Sequence, residues 1–198
     1  MSYQSQFTEV PAGKIAAIVT HLEMRSPPDM DAGAPSLPGE LRRINSPNPD
    51  WYFEVYKRIG ADLLWFSRLT IPWDTLASKL SDPDYAVYAL SSNNQDEGLV
   101  ELDFRQPKEC ELTCFGVSQN LVGSGAGYTL MQHAIRIAWS HPIERFWLHT
   151  CTLDHPRALP FYLRNGFSAY KRQVEIADDP RLTGALPRDA APQVPIVE

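Results

Sequence analysis

Apolar and polar positions follow two periods along the 198 residues, and the switches between them predict the elements. KIAAIVTHLEM (14–24) is a β-branched run and predicts a strand. RSPPDM and GAPSLPGE, rich in Pro and Gly, then predict a long loop over 25–48. Over 49–66, an Asp at the cap position and Trp51, Val55, Tyr56 and Ile59 at helical intervals predict a helix, and WDTLASKL (73–80) predicts a second. YAVYALSS (85–92), GLVELDFR (98–105) and CELTCFGV (110–117) are joined by short polar links, as antiparallel hairpins require. From Gly127, apolar or small residues recur at Leu130, Met131, Ala134, Ile135 and Ala138, so the longest helix is expected over 125–140. A strand (144–152), a short helix (156–166) and a last strand (167–176) complete the pattern. Pro160 predicts an irregular or late start for the short helix. From Ala177 the periodicity stops, and Pro180, Pro187, Pro192 and Pro195 predict an extended tail over 177–198.

Three adjacent strands followed by helix, strand, helix, strand predict one α+β domain over 1–176. Its sheet should be mixed but mainly antiparallel, with helices on both faces. The 43% hydrophobic and 21% charged content exclude a largely disordered chain. A net charge of −6 without a basic stripe argues against nucleic acid as a partner. No apolar run approaches a membrane span, and the first fourteen residues lack the layout of a secretory signal, so the expectation is a cytoplasmic protein. Cys110, Cys114 and Cys151 lie inside strand-like runs at no zinc spacing, and they read as reduced core thiols with no metal site.

The stretch LVGSGAGYTL (121–130) places three glycines at alternate positions where the longest helix begins. The first amides of a helix have no intrahelical partner, and the helix dipole adds positive potential there. Glycines let that backbone approach a bulky anion, so the loop reads as a phosphate cradle. A nucleoside-triphosphate loop needs Lys and then Ser/Thr after its last Gly, and Tyr128-Thr129 does not supply them. A dinucleotide fingerprint fails because its third Gly would fall on Tyr128.

The remaining arrangement resembles the GNAT superfamily of N-acetyltransferases. That family's signature is a strand ending in Val, a few loop residues, then Arg/Gln-Gly-x-Gly-x-Gly/Ala opening a helix. Here it reads Val117-SQNL-Val122-Gly123-Ser124-Gly125-Ala126-Gly127, with Val in place of the basic or amide residue. The family's second motif, Asn-x-x-Ala-x-x-x-Tyr-x-x-x-Gly-Phe, is matched by His155-PR-Ala158-LPF-Tyr162-LRN-Gly166-Phe167, with His in place of Asn. The resemblance covers residues 85 to 176. It implies a GNAT-like fold, a twisted sheet whose central strands, here 110–117 and 144–152, splay apart around acetyl-CoA. Backbone near Phe115 and Val117 would pair with the pantetheine arm, Gly116 would ease the bulge that parts the strands, and Val122, Gly123, Ser124, Gly125, Ala126, Gly127 and Tyr128 would cradle the diphosphate. His155 stands where the family's asparagine contacts the cofactor.

Transfer of an acetyl group from a thioester to an amine needs a neutral amine, a stabilised oxyanion and a proton for the thiolate. By resemblance Tyr162 supplies the proton, since a phenol titrates near ~10 and a thiol near ~8.5. The Val117 amide is the implied oxyanion donor. Glu101, mid-strand where the family often carries a carboxylate facing the acceptor, is the expected base. Glu111 and His149 are reserves, and a water chain is the other option. Trp51, Tyr52, Phe53, Tyr56, Trp65, Phe66 and Trp73 make the first helices aromatic, with Glu54, Asp62 and Asp74 nearby. Rings and acids together point to a small cationic amine. The function implied is an N-acetyltransferase acting on a primary amine of a small molecule by direct attack. Its alternatives are a non-catalytic acyl-CoA-binding sensor and a protein lysine or N-terminal acetyltransferase. A homodimer is compatible with each.

Overall fold

The computed structural model describes residues 7–29 and 36–198, so residues 30–35 of the predicted loop lie outside the described residues. In chain order the elements are β1 (Lys14–Met24), β2 (Glu40–Ile44), α1 (Pro49–Gly60), α2 (Trp73–Leu80), β3 (Tyr85–Ser92), β4 (Gln95–Asp103), β5 (Glu109–Val117), α3 (Ala126–Trp139), β6 (Arg145–Cys151), α4 (Ala158–Arg164) and β7 (Ser168–Asp178).

Two asparagines fold the first hairpin. Asn93 and Asn94 take φ of 51° and 62°, the left-handed pair that a two-residue link between twisted strands demands. With β5 added, this meander forms half of a seven-stranded sheet ordered β2-β3-β4-β5-β6-β1-β7. Every neighbouring pair is antiparallel except β5 and β6. The α3 side of the sheet buries Leu90, Val100, Leu102, Cys110 and Leu112 against Leu130, Met131, Ala134 and Ile135. The opposite face buries Tyr85, Val87, Leu99 and Cys114 against α1 and α2. A register shift where Glu101 and Leu102 meet Cys114 and Leu112 leaves Thr113 out of step, which turns Cys114 to the opposite face from Leu112.

Several predicted boundaries move, each for a local reason. Asn48, not Asp50, caps α1: its Oδ1 accepts from the Asp50 amide at 2.9 Å, while Pro49 opens the helix and Asp50 sits in its first turn. The helix stops at Gly60, short of residue 66, because Leu64 turns left-handed at φ 52° and Trp65 folds back. The Trp65 amide donates to the Gly60 carbonyl at 2.9 Å, and a Cβ on Gly60 would come within 2.3 Å of the indole. β2 lies inside the predicted loop and is held to the edge by Arg42, which donates to both Asp96 carboxylate oxygens at 2.8 and 3.0 Å. Gly116 does not sit at the register shift. A Cβ there would meet Ile59 Cγ2 at 2.5 Å, so the glycine admits α1 rather than easing a bulge.

β1 inserts between β6 and β7, on the far half of the sheet from β2. β7 runs to Asp178, two residues beyond the predicted limit, and residues 179–198 pack back on the body. Leu186, Ala190 and Ala191 bury against Ile15 and Leu64. The buried Arg181 donates to both Asp179 oxygens, at 2.9 and 2.7 Å, and to the Val194 carbonyl at 2.7 Å. The Gly13 amide donates to the Val197 carbonyl at 2.8 Å. No helix among the described residues is long and apolar enough to cross a membrane.

Candidate active site

Strands β5 and β6 are paired at three positions only, Glu109 with Arg145, Cys110 with Phe146 and Glu111 with Trp147. Beyond Glu111 they part, and the edge of β5 from Leu112 to Val117 faces a cavity of about 500 Å³. His149 and Cys151 border it from β6, Tyr56, Trp65 and Phe66 from the helical face, and Phe161 and Tyr162 from α4.

The glycine loop closes one end of this cleft. Gly123 and Gly125 take φ of 85° and 89°, which a side chain would strain. A Cβ on either, or on Gly127, would meet nothing within 4 Å. Among the described residues no group accepts the amide hydrogens of Gly123, Gly125, Gly127 or Tyr128. Four donors at and just before the start of α3 therefore lack a partner among the described residues, where the dipole favours an anion. Val122 and Tyr128 also border the cleft, whereas Ser124 and Ala126 do not. The Ser124 hydroxyl donates to the Leu121 carbonyl and accepts from the Ala126 amide, and the Ala126 side chain belongs to the core.

Phe115, Val117, His155 and Tyr162 all reach the cavity wall. Phe115 stacks on Phe161 and meets Tyr162 edge-on, so the two motifs touch through aromatic rings. Tyr162 is 9% exposed and its hydroxyl bonds to no described residue. Burial, with Asp154 and Cys114 nearby, pushes the phenol well above its ordinary value and keeps its proton in place. His155 accepts from the Arg157 amide through Nδ1 at 3.1 Å in the turn before α4. Pro160 falls in the first turn, where an amide has no partner to lose, and the helix starts at Ala158 rather than 156.

Glu101 is elsewhere. It is 0% exposed beneath α1, and its oxygens accept from Tyr52, from Tyr85 and from Arg68 at 2.9 Å. Burial pushes this carboxyl up, but Arg68 and the two phenols outweigh it and the net displacement is downward. A buried carboxylate so paired has neither a path to an acceptor nor affinity for a proton.

Of the reserves, His149 borders the cleft and Glu111 stands beside it. His149 and Glu111 share one face where the strands part, with Nδ1 of the imidazole 3.7 Å from Glu111 Oε1. Of the acids thought to attract a cation, only Asp62 borders the cavity. Glu54 pairs with Arg58, and Asp74 is exposed on α2. Asp154 and Glu175 border it instead, as do Arg157 and Arg164. No spacing signal marks these four residues in the sequence. Asp154 latches the helical face to β6: Oδ1 accepts from Trp65 Nε1 at 3.0 Å, and Oδ2 from Thr150 Oγ1 at 2.6 Å and the Cys151 amide at 2.9 Å. Among the described residues no group of three or more His, Cys, Asp or Glu could hold a metal ion.

A parted parallel pair with free amides at the following helix start is a cleft built for an extended, anionic ligand. The pattern that defines the acetyltransferase (GNAT) family matches residues 47–167, and the chain belongs to that family of acyltransferases. Its fold is shared with a GCN5-related N-acetyltransferase from Sphaerobacter thermophilus, at TM-score 0.57 and 14% identity, over 85% of this chain and 53% of that one. An aminoglycoside acetyltransferase from an uncultured soil metagenomic sample, in complex with sisomicin, is similar at TM-score 0.53 and 17% identity, over 69% and 92%. An IAA acetyltransferase from Bacillus cereus gives 0.51 and 18%, over 67% and 78%. The chain thus spans about half the length of the Sphaerobacter protein. No curated protein matches it in sequence.

Proposed function

We propose that the protein transfers an acetyl group from acetyl-CoA to a primary amine of a small molecule by direct attack. The observation that carries this reading is the set of unpartnered amides at Gly123, Gly125, Gly127 and Tyr128, opening on space that only glycines leave free. In it the diphosphate lies on those amides, and the pantetheine arm follows the unpaired edge of β5 past Phe115 and Val117. The thioester then reaches Tyr162, whose phenol, protonated and without a partner, gives its proton to the leaving sulfur. Direct attack is supported by the thiols beside the cleft. Burial raises Cys114 well above its ordinary value and Cys151 to about 11, so neither offers a thiolate for an acyl-enzyme at neutral pH. The reading of the acceptor as a small cationic amine is supported by Asp62 and Glu175 among the wall residues, and by Tyr56, Trp65 and Phe66.

Gly127→Asp is the test. Residue 127 sits in the first turn of α3 with no neighbour within 4 Å, so an acid there stabilises the helix by about 0.3–1 kcal/mol through the dipole. The same carboxylate repels the diphosphate. Calorimetry should show affinity for acetyl-CoA falling at least tenfold while the melting temperature holds or rises. Unchanged affinity removes the cradle from the account. Wild-type binding without turnover over an amine panel returns the sensor reading.

A further inference from the structure

The neutral amine that direct attack requires has no source in the reading above, because Glu101 is sealed off. The polar face at the parting of β5 and β6 offers one. Glu111 and Trp147 form the last strand pair, and His149 follows two residues later on the same face. The imidazole borders the cavity, its side chain is 49% exposed, and Nε2 contacts no described residue while Nδ1 faces Glu111. From β1, His21 stands opposite it in register with ring centroids 5.7 Å apart, and His21 Nε2 is tied to Gln173 Oε1 of β7 at 2.8 Å. That bond ties His21 toward β7, and of the two imidazoles only His149 borders the cleft.

We propose that His149, oriented by Glu111, is the base that takes a proton from the incoming ammonium of a small cationic amine; this rests on the acetyl-transfer reading. Neutral His149 accepts one proton at Nε2. The freed amine adds to the thioester carbonyl, forming the C–N bond and an oxyanion. Collapse breaks the C–S bond as Tyr162 protonates sulfur, and the second nitrogen proton returns to the phenolate. The acetamide and the free thiol leave, and His149 releases its proton to solvent.

The charges around His149 fit this duty. Glu111 on β5 favours the imidazolium most, burial opposes it, and Asp154 after β6 and Glu175 on β7 add to Glu111, so its pKa lies above the ordinary value. For His21, burial dominates and His149 and Lys171 of β7 add to it, so its pKa lies below the ordinary value. A base poised somewhat above the operating pH of a free imidazole is matched to an ammonium donor. Of these acids, Asp154 and Glu175 also border the cavity, where they favour a cationic acceptor.

His149→Gln keeps a polar side chain at a half-exposed site and should fold normally. At pH 7 its kcat/KM for the amine should fall roughly 10²-fold, with calorimetric affinity for acetyl-CoA unchanged. The deficit should shrink as pH approaches ~10, where the amine is neutral on its own. Glu111→Gln should lower the pH at which the His149 imidazole titrates by NMR and shift the acidic limb of the rate profile with it. His141→Gln, far from the cleft chemistry, should leave both readouts alone. An active wild type whose His149→Gln variant keeps full rate and the same profile overturns the base and leaves acetyl transfer standing. A His149 imidazole titrating at or below ~6.5 also overturns it. Binding of acetyl-CoA by a wild type that acetylates no amine removes both.

Discussion

A buried hydroxyl with no protein partner in the wall of a cleft is a group held for something that arrives later. The Tyr162 ring is fixed by Phe115, Phe161 and Phe167, while its oxygen has no protein partner. Tyr162→Phe therefore removes no hydrogen bond from the fold, and replacing an unpaired polar atom in apolar surroundings is neutral or mildly stabilising. Turnover should fall 10-fold or more with unchanged calorimetric affinity for acetyl-CoA and an unchanged or higher melting temperature; a lower melting temperature would show a structural role that the geometry lacks. The place of Tyr162 on one short helix was legible in the sequence because its motif is local, thirteen consecutive positions from His155 to Phe167. The burial of Glu101 was not legible, for the opposite reason. Alternation along a strand tells which face a residue takes, but not that Tyr52, Arg68 and Tyr85, from three other segments, converge to cover it.

At the scale of elements, that convergence makes Glu101 a clasp between β4 and the segment after α1. Arg68→Met would strand a fully buried carboxylate and should cost about 3–5 kcal/mol in denaturant unfolding. Adding Glu101→Leu to it should recover most of the loss, since the pair is then replaced by apolar volume. If the double variant is no more stable than the single one, the clasp is not electrostatic. Glu101→Gln should leave the acidic limb of the rate profile in place, because Glu101 is buried and the base we propose, His149, lies on β6. Strands and long helices were read correctly wherever a period ran for eight or more residues. β2 escaped because five residues between Pro-rich stretches carry too short an alternation, and the end of α1 escaped because a left-handed Leu64 leaves no compositional mark.

The whole molecule depends on how residues 179–198 come back to the body. Asp179 and Arg181 are both buried, with the guanidinium also serving carbonyls of Ala190, Ala191 and Val194. Hydrogen bonds from Arg181 hold the Asp179 carboxyl below its ordinary value, against burial. A depressed carboxyl contributes stability that is complete above its unfolded value of 3.8 and is lost as pH falls through the lower folded value. Asp179→Asn should lower the melting temperature at pH 7 by roughly 6–12 °C, taking about 3 kcal/mol at 2–4 °C for each. The gap should close toward pH 3, and a gap of equal size at both pH values would refute an ionic origin. Proline spacing alone could not show this packing, because Leu186, Ala190 and Ala191 find partners in Ile15 and Leu64, far away in the chain.

One consequence follows from the insertion of β1 between β6 and β7. Lys14 meets Asp178 across 164 positions, so β1 leaves the ribosome long before the strands it pairs with. At ~5–20 residues per second the wait is on the order of ten seconds. The glycine cradle is assembled from neighbours in the chain and can form early, while the wall carrying His149 is backed only once translation has passed β7. Until then a β-branched ribbon hangs unpaired, the kind of segment that chaperones shelter.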